Sequence, residues 1–309
     1  MRVVAAVLED AAGRVLFAQR PPGKQHAGRW EFPGGKIEAD ESAFAALCRE
    51  LREELGIDVI AASRLMCVHR PHPNGMLALE AWRVTAWRGA PVAHEHSALR
   101  WLPVPQGLQL DLCAADVVIA RALALPHRYA ITPEPGADVS AFLARIESGL
   151  ERGLRLLQWR APGLDARRYR EIAITLRERS TQHGARLLLN ADPALALELG
   201  ADGVHLDARR LAATHARPEA PDGFLVAASC HDEQELRHAS VIGADFVVLS
   251  AVRPTPTHPG VSALGWEAWE RLLHGADVPA YALGGVGPAD LCTAKRHGAL
   301  GVAGISAFW

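Results

Sequence analysis

The feature that most constrains this chain is an acidic, periodic run over residues 35–57. At about 100° per residue, a helix over residues 42–55 places Glu50, Glu53 and Glu54 within one arc of about 100°. The opposite arc is apolar, so the helix is predicted to bury one face and to expose a cluster of carboxylates. Like charges three and four residues apart repel each other, and the pattern therefore indicates a bound cation that offsets the repulsion.

The cation that this pattern favours is Mg²⁺, which prefers carboxylates, keeps several waters and often bridges to substrate phosphates. Such a site predicts the hydrolysis of a phosphoanhydride. A solvated acidic helix face is the alternative, and it is the better interpretation of the glutamates taken alone. The flanks favour the metal site, because Pro33, Gly34 and Gly35 allow the backbone to approach an ion or a phosphate closely. Gly56 is expected to end the helix.

The run resembles the Nudix box, G-x5-E-x7-R-E-U-x-E-E-x-G-U with U aliphatic, and matches it at every specified position. The resemblance extends over most of residues 1–125 to the MutT type of Nudix hydrolase and implies an α/β/α sandwich with a mixed sheet. It implies that Arg49 orients the glutamates and that Glu41 supports them. With Mg²⁺ as the expected ion and Mn²⁺ as the second candidate, the implied ligands are Gly34, through its carbonyl, Glu50, Glu53, Glu54 and Glu95.

Glu95 enters this set because residues 87–95 align with a later loop from which family members of this type contribute a further glutamate. The resemblance makes Glu95 an additional ligand or the base. His94 and His96 flank it. We interpret them as surface histidines, since no further Cys or His completes a tetrahedral zinc site.

The resemblance implies a reaction in which a metal-activated water attacks a substrate phosphorus, so that a nucleoside triphosphate yields a monophosphate and pyrophosphate. The MutT type implies 8-oxo-dGTP as substrate, which is nucleotide-pool sanitation in support of DNA replication and repair. Ala115 stands where family members often place a purine-reading asparagine, and Asp116 follows it. Selectivity for 8-oxoguanine stays open, because an ionised aspartate accepts hydrogen bonds but cannot donate one.

Aromatic residues near the box are candidates for stacking on a base, although Trp30, Phe32 and Trp82 suit an ordinary core equally well. The substrate-binding residues that we expect are Arg20, Phe32, Gly35, Lys36 and Asp116.

The length of 309 residues predicts two domains, which we place at residues 1–126 and 129–309. In the first, residues 3–7 and 15–19 alternate like paired strands about a turn at residues 10–13.

The second domain repeats an apolar run, a polar turn and an amphipathic helix. Eight such strands alternating with helices predict a (β/α)₈ TIM barrel whose phosphate site lies after strands seven and eight. The predicted strands cover residues 129–132, 155–159, 186–189, 203–206, 225–228, 246–249, 280–283 and 301–305. The predicted helices cover residues 138–152, 165–183, 193–199, 232–242, 265–274 and 288–297.

Residues 129–309 resemble thiamine-phosphate synthase and its TenI-type relatives in five short segments, at residues 158–160, 200–206, 254–258, 282–285 and 305–307. The resemblance implies a phosphorylated thiamine precursor as ligand. An equally good alternative is that the polar residues at the strand ends bind no ligand and are solvated at the barrel mouth. The expected phosphate and ligand residues are Gln158, Arg160, Asn190, Thr255, Thr257, Gly284, Gly285 and Ser306, with Ser229 as a further candidate.

The synthase pattern is nevertheless incomplete. Pro162 and His258 stand where it has lysines, and Ala191 and Arg210 stand where it has magnesium-binding aspartates. These changes remove charge that would bind and expel pyrophosphate. The barrel is therefore interpreted as a degenerate, ligand-binding relative.

Composition restricts the partners. A net charge of −2 without a long basic run argues against nucleic acid and against an anionic membrane surface as direct partners, and favours a free nucleotide. Five scattered cysteines without a CxxC suit buried thiols in a reducing cytoplasm. The short apolar run at the N-terminus does not fit a signal peptide, and no segment has membrane-spanning length. The oligomeric state is left open.

Three hypotheses follow. The first is an Mg²⁺-dependent nucleotide pyrophosphohydrolase fused to a degenerate barrel. The second is a bifunctional protein in which both halves serve thiamine metabolism, with the barrel joining pyrimidine and thiazole phosphates. In the third, the barrel is a non-catalytic ligand-sensing or interaction module for the hydrolase.

Overall fold

The computed structural model describes residues 1–72, 75–254, 263–274, 276 and 278–309. The chain forms two compact units, Met1–Leu125 and Pro126–Trp309. No helix in these described ranges combines the length and the apolar character that a membrane crossing requires.

The first unit contains a mixed sheet and an antiparallel sheet, which confirms the expected mixed α/β architecture. In the mixed sheet, β5 (Gly75–Arg88) lies between β1 (Arg2–Leu8), which is parallel to it, and β4 (Asp58–His72), which is antiparallel. In the antiparallel sheet, β2 (Val15–Gln19) lies between β3 (Trp30–Glu31) and β6 (Ala98–Leu102).

The predicted pairing of the first two strands is wrong. The tight turn exists, since the Asp10 side chain accepts from the Arg14 N–H at 2.9 Å, but β1 and β2 belong to different sheets and share one isolated bridge, Glu9 to Val15. Residues 33–37 take that edge of β1 instead. Their carbonyls at Pro33 and Gly35 accept from β1 N–H groups at 2.8 Å. Alternation predicted the strands but carries no information about which segment occupies each edge.

Three helices complete the first unit: α1 (Ala43–Leu55), α2 (Val104–Gly107) and α3 (Ala114–Leu123). The predicted helix over the acidic run is confirmed. Ser42 caps its start by accepting from the Ala45 N–H at 3.1 Å, and Gly56 ends it in the left-handed region at φ 69°. Leu47, Leu51 and Leu55 are fully buried, which anchors the apolar face and leaves the acidic face to build the site.

The second unit is a closed barrel of eight parallel strands, as predicted. Each strand is short and almost wholly buried because helices cover its outer face. The strands are β7 (Arg128–Ile131), β8 (Leu156–Trp159), β9 (Arg186–Leu189), β10 (Gly203–Leu206), β11 (Leu225–Cys230), β12 (Phe246–Ser250), β13 (Ala280–Leu283) and β14 (Gly301–Gly304).

The helices of the barrel follow the predicted positions with one addition, the six-residue α7, which the sequence analysis did not predict. A 3₁₀ turn at Pro288–Asp290 precedes the last helix. The helices are α4 (Val139–Glu151), α5 (Ala166–Gln182), α6 (Pro193–Glu198), α7 (Ala208–Ala213), α8 (Glu233–Val241), α9 (Gly265–His274) and α10 (Leu291–Arg296).

Candidate functional site

The glycine loop before α1 is fixed against β1 and faces the acidic side of the helix. The Gly34 N–H donates to the Glu54 carboxylate at 2.9 Å. Gly34 has φ 147°, and a Cβ there would lie 2.1 Å from the Val4 carbonyl oxygen, so only glycine fits. A Cβ on Gly35 would lie 2.3 Å from the Glu50 carboxylate, which shows how closely this acid approaches the loop.

Arg49 organises three of the glutamates. Its guanidinium binds both oxygens of Glu41, at 3.1 and 3.0 Å, and one of its nitrogens donates to Glu50 at 2.9 Å and to Glu53 at 3.3 Å. A further hydrogen bond to the Lys36 carbonyl at 3.0 Å connects the arginine to the glycine loop. The hydrogen bonds that Arg49 donates to Glu41, and then to Glu50, raise its pKa, so it remains a fixed cation within the cluster.

The glutamates differ in environment. Glu53 is the exposed member, with 54% of its side chain accessible. Burial raises the pKa of Glu50, and burial raises the pKa of Glu54 to about 7. A divalent cation would favour the ionised forms and so reverse these shifts.

His96 is buried rather than on the surface, which corrects the interpretation from the sequence. Its side chain is 3% exposed, and Nε2 lies 3.6 Å from Glu31 Oε1 and 3.8 Å from Glu54 Oε1. Nδ1 is buried and finds no hydrogen-bond partner within the described part of the chain. His94, by contrast, is exposed as expected.

Glu95 lies in the segment between β5 and β6, which contacts the end of α1. The His94 N–H donates to the Glu54 carbonyl at 3.0 Å, which ties this segment to the acidic helix. The Glu95 carboxylate pairs with Lys24 at 2.7 Å. Hydrogen bonding to Lys24 lowers the pKa of Glu95, which therefore stays ionised at neutral pH.

The donor chemistry of this site suits a hard divalent cation, because it combines carboxylates with backbone oxygen. Glu50 and Glu53 accept from the same arginine nitrogen, and Glu50 lies against Gly35. Within the ranges that the structure describes, no three acidic, histidine or cysteine side chains converge as a ready metal cage. Mg²⁺ does not require one, since it usually takes one or two carboxylates and keeps its waters. The residues therefore fit such an ion by chemistry and proximity.

The expected substrate residues separate into two groups. Arg20 is half-buried and forms an ion pair with Glu31, and Lys36 is exposed beside the glycine loop. Phe32 is 3% exposed and its ring lies 5.1 Å from that of Phe17, so its side chain belongs to the core. Of the two interpretations of Phe32, this burial favours the ordinary core over stacking on a base. Trp30 is likewise buried in this core.

Asp116, at the start of α3, is 5% exposed and accepts from the Phe32 N–H at 2.9 Å. Burial raises the pKa of its carboxyl to about 7. The sequence argument applies to the ionised carboxyl, whereas the protonated fraction present at neutral pH can donate a hydrogen bond. Asp116 fastens α3 to the strand that leads into the glycine loop.

The barrel site contains a buried polar chain. Gln158 is 2% exposed and donates to the Tyr129 hydroxyl at 3.2 Å, and this hydroxyl lies 3.1 Å from His205 Nδ1. His205 Nε2 lies 2.8 Å from the Ser229 hydroxyl. Burial lowers the pKa of His205 to about 3, so the imidazole is neutral. Gln158 is thus engaged in a buried hydrogen-bond network, of which Ser229 is the outermost member.

Arg160 and Asn190 directly follow the adjacent strands β8 and β9, as predicted for the barrel mouth. The side-chain oxygen of Asn190 accepts from Arg210 at 3.4 Å, and Arg210 also pairs with Asp207. An arginine thus stands beside Asn190, where the synthase pattern has an aspartate.

The glycine pair after β13 packs closely against the segment that follows β12. Gly284 and Gly285 have φ 97° and 63°, and a Cβ on either would lie within 2.7 Å of neighbouring atoms. Ser306 is exposed after the neighbouring strand β14, at the same end of the barrel. Thr255 and Thr257 lie outside the described residues.

Sequence reasoning missed several residues of both sites. Lys24 and Glu31 carry no motif signal, since their roles arise from contacts over 71 and 65 residues of chain, to Glu95 and His96. The pairing of β2 with both β3 and β6 brings these segments together. Tyr129 and His205 could have been found as polar residues within otherwise apolar strands.

Comparison with known proteins divides the chain in the same way. Residues 1–122 match the family described as NUDIX domain, and residues 128–308 match the family described as thiamine monophosphate synthase. The first part is 43% identical over 122 residues to a protein named CTP pyrophosphohydrolase from Escherichia coli strain K12, covering 40% of this chain and 90% of that protein.

The second part is similar to proteins named thiamine-phosphate synthase. It is 34% identical over 179 residues to the one from Thioalkalivibrio sulfidiphilus, covering 58% of this chain and 85% of that protein. It is 33% identical over 166 residues to one from Acidithiobacillus ferrooxidans, covering 52% of this chain and 76% of that protein. The chain therefore belongs to the Nudix family through its first unit and to the thiamine monophosphate synthase family through its barrel.

Proposed function

We propose that the first unit hydrolyses a nucleoside triphosphate to the monophosphate and pyrophosphate, with Mg²⁺ or Mn²⁺ as the cofactor. The observation that carries this proposal is the guanidinium of Arg49, which gathers Glu41, Glu50 and Glu53 beside the glycine loop. A fold gains little from crowding exposed carboxylates around one arginine, whereas a polyphosphate site requires them.

The residues present would divide the work as follows. Glu50, Glu53, Glu54 and the Gly34 carbonyl would hold the ion, and Glu95 would serve as a further ligand or as the base. When bound, the ion supplies charge neutralisation of the polyphosphate and acidifies a water. Arg49 keeps the carboxylates in register, and it remains charged throughout because its pKa is raised by its glutamate partners.

Two bases are candidates for the substrate. The MutT resemblance favours 8-oxo-dGTP and a role in sanitising the cytoplasmic nucleotide pool, which would protect DNA replication. The relative named CTP pyrophosphohydrolase favours a cytidine nucleotide. Asp116 does not decide between the two bases, because its carboxyl is buried and accepts from the Phe32 N–H.

The test is pyrophosphate release from 8-oxo-dGTP, dGTP and CTP by the whole chain, with Mg²⁺, with Mn²⁺ and with excess chelator. Metal-dependent release from at least one nucleotide is expected. Absence of release from all three under every metal condition would reject the hydrolase proposal. Equal turnover of 8-oxo-dGTP and dGTP would reject only the sanitising role.

For the barrel we propose binding of a phosphorylated thiamine precursor, supported by the positions of Gly284, Gly285 and Ser306 after β13 and β14, the seventh and eighth strands of the barrel, and by polar side chains at or after other strand ends, Arg160, Asn190 and Ser229. Synthase activity is the second candidate, favoured by identities of 33–34% to named thiamine-phosphate synthases. Calorimetric titration with thiazole phosphate, followed by a product assay with the pyrimidine pyrophosphate present, separates the two. Binding without product supports a ligand-binding barrel, product formation supports a bifunctional protein, and neither rejects both.

A further inference from the structure

We propose that Lys24 is an internal counter-cation of the hydrolase site. Its ammonium group pairs with the Glu95 carboxylate, and the divalent metal must displace it in order to bind that carboxylate. This inference rests on the proposed function, because it treats Glu95 as a metal ligand. It assigns a role to a lysine that lies outside the acidic motif.

The ion pair is built into the fold. Lys24 Nζ lies 2.7 Å from Glu95 Oε2, with about half of each side chain exposed. The two residues belong to segments that leave the same end of the β2–β6 ladder. There Gln19 is paired with Ala98, and the Ser97 N–H donates to the Gln19 carbonyl at 2.9 Å. The sheet register therefore brings Lys24 opposite Glu95.

The loop that carries Lys24 is closed by its own hydrogen bonds. Arg20 Nε donates to the Gln25 carbonyl at 2.6 Å, and the Gly28 N–H donates to the Arg20 carbonyl at 3.0 Å. Arg20 is itself held by Glu31 on the neighbouring strand. Lys24 is thus presented from an ordered loop.

The ammonium lies in the field of the acidic cluster. The hydrogen bond to Glu95 raises the pKa of Lys24, and the charge of Glu54 adds to this effect. Glu50 in turn experiences the charge of Glu95. A cation at the position of Lys24 therefore offsets the repulsion that would otherwise remain in the absence of metal.

Lys24 differs from Arg49 in how easily it can be displaced. Arg49 contacts three carboxylates and the Lys36 carbonyl, so it is a permanent part of the cluster. Lys24 has one half-exposed ion pair with a flexible, strongly hydrated ammonium, and such pairs contribute little net free energy. A divalent cation can therefore displace Lys24 from Glu95, and this competition lowers the metal affinity about two- to fivefold.

The test is Mn²⁺ binding without nucleotide, measured by electron paramagnetic resonance of the free ion. Four proteins are compared with wild type: Lys24→Met, Glu95→Gln, the double variant and Arg237→Met. Arg237 is an exposed cation paired with Glu233 on a barrel helix, so its removal controls for the same change in net charge. Circular dichroism confirms that each variant is folded.

We expect Lys24→Met to bind Mn²⁺ about two- to fivefold more tightly than wild type and Arg237→Met to match wild type. Glu95→Gln should bind more weakly, and adding Lys24→Met to it should change nothing further, because the exchanged carboxylate is gone. Unchanged or weaker binding by folded Lys24→Met, or the same gain in the Glu95→Gln background, overturns the inference alone. No Mn²⁺ binding by wild type overturns the proposed function as well.

Discussion

The carboxylate of Glu50 lies so close to Gly35 that a single added Cβ would come within 2.3 Å of it. Gly35 has no left-handed φ, and the atoms that it would meet are the far end of a side chain. A side chain at residue 35 would therefore displace the Glu50 carboxylate, so the position of this acid, rather than backbone conformation, favours glycine here.

The first prediction is that Gly35→Ala moves Glu50 and impairs the site without unfolding the protein. Pyrophosphate release should fall by roughly 10- to 100-fold, as expected when a ligand is misplaced, with little change in melting temperature. Gly34→Ala should instead destabilise the fold, because its Cβ would meet the Val4 backbone. Gly163→Ala is the neutral control, since its Cβ would approach only Glu134, at 3.9 Å. Full activity in Gly35→Ala would contradict the assignment of Glu50.

The second prediction concerns pH and Glu54. Burial raises the pKa of this carboxyl to about 7, so the metal-free protein holds a proton there that metal binding must release. Mn²⁺ affinity should therefore weaken as pH falls from 8 to 6, with net proton release near neutrality. Calorimetry in buffers of different ionisation enthalpy measures that release. Affinity that stays constant over this range would argue that Glu54 is not a ligand.

The third prediction uses the buried carboxyl of Asp116. The pKa of this carboxyl in the folded protein, about 7, exceeds the ordinary value of 3.8. Ionisation of Asp116 therefore destabilises the folded protein, and this loss of stability develops as pH rises from about 4 to about 7. Asp116→Asn keeps an acceptor for the Phe32 N–H but cannot ionise. The free energy of unfolding of the variant relative to wild type should therefore rise across that window by ~4 kcal/mol.

Denaturant titration at several pH values provides this measurement. Asp111→Asn is the matched control, since Asp111 lies just before α3 and has 73% of its side chain exposed. Its stability relative to wild type should change little with pH. If the free energy of unfolding of Asp116→Asn relative to wild type does not change with pH, ionisation of the Asp116 carboxyl does not destabilise the folded protein, and the prediction is wrong.

Local sequence signals predicted much of this molecule. Ser42 and Gly56 mark the ends of α1 because a side-chain cap and a left-handed glycine act within one turn of the helix. The apolar runs of the barrel were visible because strands covered by helices are apolar on both faces.

The remaining features depend on contacts between distant segments. The burial of His96 and the hydrogen bond from the Phe32 N–H to Asp116 follow from sheet register and helix docking. Local periodicity carries no information about either. The edge of β1 shows the same limit, because residues 33–37 compete successfully with β2 for it.

The claim on which the account depends is that the glutamates around Arg49 bind a divalent ion for hydrolysis, and Glu53→Gln tests it most directly. Glu171→Gln is closely matched: Glu53 and Glu171 are 54% and 56% exposed, and each pairs with an arginine four residues away on a helix. With Mg²⁺ and the best nucleotide substrate, we predict that Glu53→Gln loses ~10²-fold or more in pyrophosphate release with an unchanged melting temperature, while Glu171→Gln matches wild type. Equal activity of the two variants would contradict the account.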